Sequence, residues 1–171
     1  LDPQLEPAIE AMIATAMSLD ALVFNRHLPY LRLFAKRHPQ LSIVIDHAAK
    51  AAIAAHGLQQ PTGFYEKTGF NEWADSISAL ADLPQVYCKV SGLLTEAGAA
   101  QGAAELKPYV DHLYSAFGAH RLMWGSDWPV LNLAAQYSGW VSICEHALAG
   151  LSELEQRAVW RDNASAFYRL R

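Results

Sequence analysis

The feature of this sequence that most constrains its fold is an alternation of short apolar runs with helical patterns. The clearest run is Leu41–His47, whose centre, Ile43–Ile45, is apolar and β-branched throughout. This pattern is typical of a strand that is covered on both faces. Segments 21–24, 86–91 and 121–125 are also predicted to be strands. Because strands separated by helices pair in parallel through right-handed crossovers, the sequence predicts an α/β fold.

Helical patterns lie before, between and after these strands. Asp2 and Pro3 predict the cap and first residue of an opening helix, whose apolar stripe continues to about residue 18. Segments 48–68 and 92–103 are predicted to be loops, and residues 1–171 to form a single domain. Further helices are expected from Pro29 to His38, over about 69–81, from Leu106 to Phe117, from Tyr137 to Gly150, from the capping box at Ser152, and from Ala164 to Leu170.

Several classes of protein are disfavoured by composition and motif content. No GxGxxG or GxxxxGK[ST] motif is present, so a nucleotide-binding open sheet lacks its usual phosphate loop. The net charge is −4 without a basic stripe, which argues against a nucleic-acid partner. The apolar runs are too short for a membrane span, and the opening residues lack the basic region of a signal peptide. Cys88 and Cys144 have no CxxC spacing, so we expect a reducing, cytoplasmic location.

Polar side chains follow the predicted strands at the points where parallel α/β folds place their chemistry. Side-chain alternation puts His47 on the face of Ile43 and Ile45, and Asp127 on the face of Met123. If His47 points into a barrel, Asp127 can meet it across the mouth. A histidine and a carboxylate that converge can transfer protons or bind a metal. Other strand-end candidates are Arg26 and His27 after the first strand, Lys50 after the second, Lys89 and Ser91 in the third, and Trp128 after the fourth.

Structural alternatives exist for each of these residues. A single histidine after a strand is more often structural, and Asp127 in the sequence GSDWP can cap a turn. Lys89 within a strand is costly to bury, so we expect it to be paired inside a barrel or to lie on a wet face. Asp46 is expected to bind loop backbone on the opposite face.

Four segments of the chain resemble one known family. Ile43–Lys50, Tyr87–Leu93, Arg121–Pro129 and Asp162–Tyr168 are similar to motifs of the amidohydrolase 2 branch of the amidohydrolase superfamily. This branch includes lactonases that act on fuconolactone, rhamnonolactone or pyrone dicarboxylate, and metal-dependent decarboxylases. The resemblance implies a (β/α)8 TIM barrel. Because the His-x-His pair of the family's first strand is absent, the chain is expected to contain the last four β/α units, the C-terminal part of the barrel.

The same resemblance implies roles for individual residues. Asp127 corresponds to the eighth-strand aspartate, the general base that activates water, and His47 to the sixth-strand histidine. Some family members hold a divalent metal such as zinc with these two groups, and certain lactonases work without one. The remaining candidates are substrate-binding residues: Lys50, Arg26 and His27 for carboxylate or hydroxyl groups, and Ser91 and Trp128 for the shape of the pocket.

Three functions are compatible with these residues and motifs. The first is a lactonase that opens a small carbohydrate-derived or dicarboxylate lactone. The second is a metal-dependent decarboxylase of the same superfamily, and the third is a non-catalytic half barrel that self-associates. Expected partners are a small-molecule substrate and either the missing N-terminal half barrel or a second copy. Self-association would follow from an uncovered inner face, predicted to carry Ile43, Ile45, Val90 or Cys88, and Met123.

Overall fold

The protein is built on a four-stranded parallel sheet with the strand order β1-β2-β3-β4. A computed structural model describes residues 2–53, 69–97 and 102–170. The strands are β1 Ser18–Ala21, β2 Ser42–Ile45, β3 Val86–Val90 and β4 Leu122–Trp124. Each strand pairs with its predecessor in the chain, which confirms the predicted succession of parallel β/α units.

Helices connect and flank the strands. Asp2 caps the first turn, because its carboxylate accepts the backbone N–H of Gln4 at 2.9 Å. Within the described ranges, we find no helix with both the length and the apolar character needed to cross a bilayer. The helices are α1 Glu6–Ala14, α2 Leu28–Arg37, α3 Phe70–Ala81, α4 Leu93–Ala97, α5 Ala103–Phe117, α6 Tyr137–Ala147, α7 Glu153–Arg157 and α8 Asn163–Phe167.

The first strand was predicted in the wrong place. It covers Ser18–Ala21 and not 21–24, and α1 ends at Ala14 and not near residue 18. Ala16 has a φ of 55°, a left-handed conformation that ends the helical run and turns the chain into the strand. The polar residues of β1 made it hard to recognise, and Asp20 is one of them because it pairs with Lys89 on the inner face of the sheet.

One loop prediction needs revision, and another lies largely outside the described residues. The segment 92–103 was predicted to be a loop, but its first part forms the short helix α4. Of the predicted loop 48–68, residues 54–68 lie outside the described residues. The helices predicted from Pro29, from about residue 69, from Leu106 and from the capping box at Ser152 are confirmed as α2, α3, α5 and α7. Gly118, with a φ of 64°, follows α5 directly.

The two faces of the sheet differ in character. Ile43, Ile45, Val86, Cys88, Val90 and Leu122 face the helices and are fully buried in the main hydrophobic core. The strand register places Asp20, Val44, Tyr87, Lys89 and Met123 on the opposite, inner face. The prediction that Ile43, Ile45 and either Val90 or Cys88 line the inner face was therefore wrong, whereas Met123 lies there as predicted. Strand periodicity shows which residues share a face but not which face the helices cover.

Lys89 forms a charged cluster on the inner face. Its ammonium lies 2.7 Å from an oxygen of Asp20 and 2.7 Å from an oxygen of Asp46. Burial alone would lower the pKa of Lys89, but hydrogen bonds to these two carboxylates outweigh it and raise the pKa. This confirms that the lysine is paired within the fold. Asp46 pairs with it, contrary to the expectation that this carboxylate binds loop backbone.

The carboxyl-terminal residues lie against this inner face. The ring of Phe167 contacts the ring of Tyr87, with 4.9 Å between centroids. The hydroxyl of Tyr168 donates to Asp20 at 2.7 Å, and its ring lies 5.5 Å from the Lys89 ammonium. The inner face is therefore partly covered within the chain itself, where the sequence predicted it to be open.

Two buried tryptophans of the helical layer hold the loops that follow β2 and β4. Trp73 on α3 donates its indole N–H to the carbonyl of Ala48 at 2.8 Å. Trp140 on α6 donates in the same way to the carbonyl of Gly125 at 2.9 Å. Both side chains are 1% exposed, so each bond is shielded from water. The helical layer thus fixes the backbone of both strand-end loops.

The two cysteines are free and buried in separate places. Burial raises the pKa of the Cys144 thiol to about 12, and burial likewise raises the pKa of Cys88. Buried thiols with raised pKa values are poor nucleophiles. Neither cysteine is therefore a candidate for covalent chemistry.

Candidate active site

His47 is aimed by an unusual turn at the end of β2. The residues from His47 to Lys50 all have positive φ values, between 48° and 57°, although none of them is glycine. Each such residue costs about 1–2 kcal/mol relative to ordinary backbone. Buried Ala48 and Ala49, together with the bond from Trp73, hold the turn in place. The strand alternation used to orient His47 does not extend to it, because β2 ends at Ile45.

The turn brings His47 to Asp127, as the sequence predicted. Nε2 of His47 lies 3.4 Å from Oδ1 of Asp127, and Nδ1 lies 2.8 Å from the hydroxyl oxygen of Ser91. One neutral tautomer is compatible with both contacts: Ser91 donates to Nδ1, and the proton is on Nε2, the nitrogen that lies near Asp127. The His47 side chain is 22% exposed and that of Asp127 is 8% exposed, so the pair lies at the protein surface with limited access to water.

Ser91, His47 and Asp127 together contain the residue types of a nucleophilic triad, but the burial of Ser91 argues against that role. Ser91 is 1% exposed and stands behind the imidazole. A nucleophile has to reach the substrate carbonyl, whereas a buried hydroxyl can fix the orientation and tautomer of the histidine. The geometry therefore fits Ser91 as a positioning residue and not as part of the pocket wall.

Gly92 makes room for the imidazole. Its φ is 66°, and a Cβ atom added there would lie 2.6 Å from Cβ of His47. No side chain fits at that distance without moving one of the two residues. Position 92 therefore requires glycine both for its backbone conformation and for the close approach of His47.

Asp127 is also held in a left-handed conformation, with a φ of 58°. Its second carboxylate oxygen, Oδ2, lies 3.2 Å from the Thr95 hydroxyl, whose single proton is shared between this oxygen and the Gly92 carbonyl at 2.7 Å. The two oxygens of the carboxylate therefore contact groups from two different strand-end segments. This arrangement fixes the direction of the carboxylate at the mouth of the sheet.

Lys50, at the carboxyl ends of the strands, is in contact with charged and aromatic side chains. Its ammonium forms an ion pair with Glu96 on α4 and lies 5.8 Å from the centre of the Phe24 ring. The guanidinium of Arg26 lies 5.1 Å from the centre of that same ring. Two cations thus share one aromatic side chain, which is a favourable arrangement for both.

The other two predicted binding residues lie nearby or at the periphery. His27 packs edge-on against the Phe24 ring at 5.8 Å, and its Nδ1 accepts the backbone N–H of Phe24 at 3.2 Å. Trp128 is 66% exposed, and its backbone N–H donates to the hydroxyl of Ser126 at 3.2 Å. The structure therefore gathers Arg26, His27 and Lys50 around Phe24 and leaves Trp128 largely in solvent.

Sequence reasoning missed Phe24, Thr95 and Glu96. Phe24 was counted as part of a buried strand, and the other two fell in a stretch predicted to be a loop. The available signal was the polar pair directly after Ser91–Leu94, at the carboxyl end of β3. Residues in that position of a parallel sheet deserve the same weight as those that follow β2 and β4.

The donor set at this site is too small for a complete metal centre. In the described segments, no group of three or more His, Cys, Asp or Glu side chains is placed to hold a metal ion. His47 and Asp127 supply two donors, and a catalytic zinc usually takes about three ligands from protein. The described residues therefore do not by themselves fit a bound metal.

Fold and site together define part of a TIM barrel with a histidine and an aspartate at its strand ends. The chain belongs to the amidohydrolase family, whose sequence profile matches residues 1–170. This confirms the resemblance drawn from the four motifs.

Individual relatives agree with this assignment. The chain is 46% identical to an L-fucono-1,5-lactonase of Burkholderia ambifaria over 99% of its own length and 56% of the relative's. It is 40% identical to an L-fucono-1,5-lactonase of Burkholderia multivorans over 88% of its own length and 51% of the relative's. A crystal structure of a Burkholderia multivorans amidohydrolase with bound zinc superimposes with a TM-score of 0.88 at 35% identity, covering 99% of this chain and 58% of that one. The chain therefore spans about half the length of the relatives it matches.

Substitution of Gly92 tests the close approach to His47. Gly118 also has a positive φ, 64°, with a ψ of 168°, and open space where a Cβ atom would stand, so Gly118→Ala reports backbone strain without a clash. We expect Gly118→Ala to lower the free energy of unfolding by about 1–3 kcal/mol, because few residues other than glycine adopt this conformation. Gly92→Ala should cost about 1–3 kcal/mol more through overpacking and should shift the imidazole N–H resonance of His47. Urea unfolding and NMR spectroscopy measure the two effects; equal losses in the two variants would contradict the contact.

Proposed function

We propose that this chain carries the His47–Asp127 half of a lactonase active site and hydrolyses a small sugar-derived lactone. The observation that carries the proposal is the 3.4 Å approach of His47 Nε2 to Asp127 Oδ1 at the ends of β2 and β4. The two L-fucono-1,5-lactonases at 46% and 40% identity support this substrate class over the decarboxylase alternative.

In the proposed reaction, Asp127 acts as the general base. Its carboxylate takes a proton from water while the water oxygen bonds to the lactone carbonyl carbon. The N–H on Nε2 of His47 donates to the carbonyl oxygen and stabilises the negative charge that develops there. When the ring C–O bond breaks, the leaving alkoxide takes the proton back from Asp127. The product is a hydroxy acid, and one water is consumed.

The surrounding residues have supporting roles in this proposal. Ser91 holds the His47 tautomer that keeps a proton on Nε2. Thr95 directs the Asp127 carboxylate. Lys50, Arg26 and His27 bind polar groups of the substrate around Phe24, and Trp128 covers the outer edge of the pocket.

Substitution of Asp127 tests the general base. Asp127→Asn keeps the shape of the side chain but cannot accept the proton, so we expect lactone hydrolysis to fall at least about a hundredfold. Asp111→Asn is the control, because Asp111 is an exposed carboxylate paired with Lys107 on α5. A pH-indicator assay measures turnover, and circular dichroism checks the fold. Near-normal turnover of Asp127→Asn would remove Asp127 from this role.

A divalent metal is a separate part of the proposal. A zinc-bound relative shows that this family includes metal-binding members, and His47 and Asp127 are the groups that would contribute ligands here. Since the described residues supply two donors, we expect the 171-residue chain to bind zinc weakly or not at all. Elemental analysis of the purified chain is the measurement, with His47→Ala as control. One zinc per chain that is lost in this variant would overturn the expectation.

We also propose that the sheet is completed by an N-terminal half barrel or by a second copy of this chain. In the described residues, β1 and β4 form the two edges of the sheet, and a closed barrel of this type takes about eight strands. Edge strands recruit other strands, so light scattering on the isolated chain should give a mass of at least two copies of 18.8 kDa. A monomer that unfolds cooperatively and exposes no apolar surface would contradict this proposal. It would show that the four strands are covered within one chain in some other way.

A further inference from the structure

The ion pair between Lys50 and Glu96 is tied on both sides to the proposed catalytic pair. The backbone N–H of Lys50 donates to the carbonyl of His47 at 2.8 Å. Glu96 directly follows Thr95, whose hydroxyl lies 3.2 Å from Oδ2 of Asp127. Lys50 is therefore bonded to the backbone of His47, and Glu96 is adjacent to the residue that contacts Asp127.

The carboxylate of Glu96 changes what Lys50 can bind. The Lys50 and Glu96 side chains are 25% and 12% exposed, so their charges compensate each other in a partly shielded place. The centre of the Phe24 ring lies 5.8 Å from the same ammonium. A carboxylate on a ligand would have to compete with Glu96 for Lys50 and would meet the negative charge of Glu96. A lysine alone at this position would attract such a ligand.

The pair still offers hydrogen bonds to a neutral ligand. An ammonium has three N–H donors and a carboxylate has two acceptor oxygens, so neither is exhausted by one contact. The pair therefore presents a donor and an acceptor side by side. Adjacent hydroxyl groups of a sugar both donate and accept, and they match this arrangement without adding charge.

We propose that Glu96 is a specificity-determining residue that makes the site select neutral polyhydroxylated lactones and reject carboxylated ones. Lys50 donates to one ligand hydroxyl, and Glu96 accepts from its neighbour. The inference rests on the proposed lactonase function and narrows its substrate class, since the sequence left carbohydrate-derived and dicarboxylate lactones as equal alternatives.

The test compares one neutral and one dianionic lactone, L-fucono-1,5-lactone and 2-pyrone-4,6-dicarboxylate. Glu96→Gln removes the negative charge and leaves Lys50 free to bind a carboxylate. We expect kcat/KM for the neutral lactone to fall about tenfold and affinity for the dianion to rise about tenfold, the scale of one charge-assisted hydrogen bond. Glu96→Asp, which keeps the charge, should retain the preference of the wild type for the neutral lactone.

Glu10→Gln is the matched control, because it makes the same change in net charge at an exposed position on α1. Its selectivity should equal that of the wild type. A purely structural ion pair would change the rates for both lactones by the same factor in Glu96→Gln. That result, or a wild type that prefers the dianion, would overturn the proposal.

Binding measurements separate this inference from the proposed function. Titration calorimetry in an Asp127→Asn background gives dissociation constants for both lactones without turnover. If the wild type hydrolyses neither lactone while binding shows the expected reversal of preference in Glu96→Gln, the proposed function fails and the inference holds. If the wild type hydrolyses the neutral lactone but Glu96→Gln does not alter selectivity, the inference fails. If the wild type binds neither lactone, the inference fails as well.

Discussion

Trp73 donates its indole N–H to the carbonyl of Ala48, inside a turn in which every residue from His47 to Lys50 is left-handed. Such a turn is costly for residues that carry a Cβ atom, and it persists because the surrounding packing determines it. The turn sets the position of His47 at one end and of Lys50 at the other. The geometry of the proposed catalytic pair and of the Lys50–Glu96 pair therefore depends on a contact made by the helical layer, outside the site.

Much of the fold could be predicted from the sequence because apolar, β-branched strands have a recognisable sequence pattern. β2 is such a strand, and the polar residues that follow β2 and β4 drew attention to His47 and Asp127. β1 was misplaced because Asp20 interrupts its apolar pattern. A carboxylate is present in this strand because it pairs with Lys89, which lies 69 positions away in the sequence. Local patterns do not contain that information. The ion pair between Glu96 and Lys50 likewise could be recognised only in the folded structure.

The orientation of His47 shows how a correct prediction can rest on an incomplete argument. Alternation along a strand predicted that His47 would meet Asp127, and the two residues are in contact. The strand, however, ends before His47, and left-handed backbone turns the side chain toward Asp127. The resemblance to the family motif predicts that His47 lies near Asp127, whereas the two-residue period of a strand does not. The same alternation assigned Ile43 and Ile45 to the inner face, but in the structure both side chains pack against the helices on the other face of the sheet.

The bond between Tyr168 and Asp20 joins residues 148 positions apart in the chain. A ribosome makes Asp20 long before Tyr168, so this contact forms only after the rest of the sheet has been synthesised. Until then β1 can pair with β2 but lacks its aromatic cover, and contacts of such long range form slowly. The bond between Tyr168 and Asp20 therefore forms late, and until it does the inner face of β1 remains open to other partners.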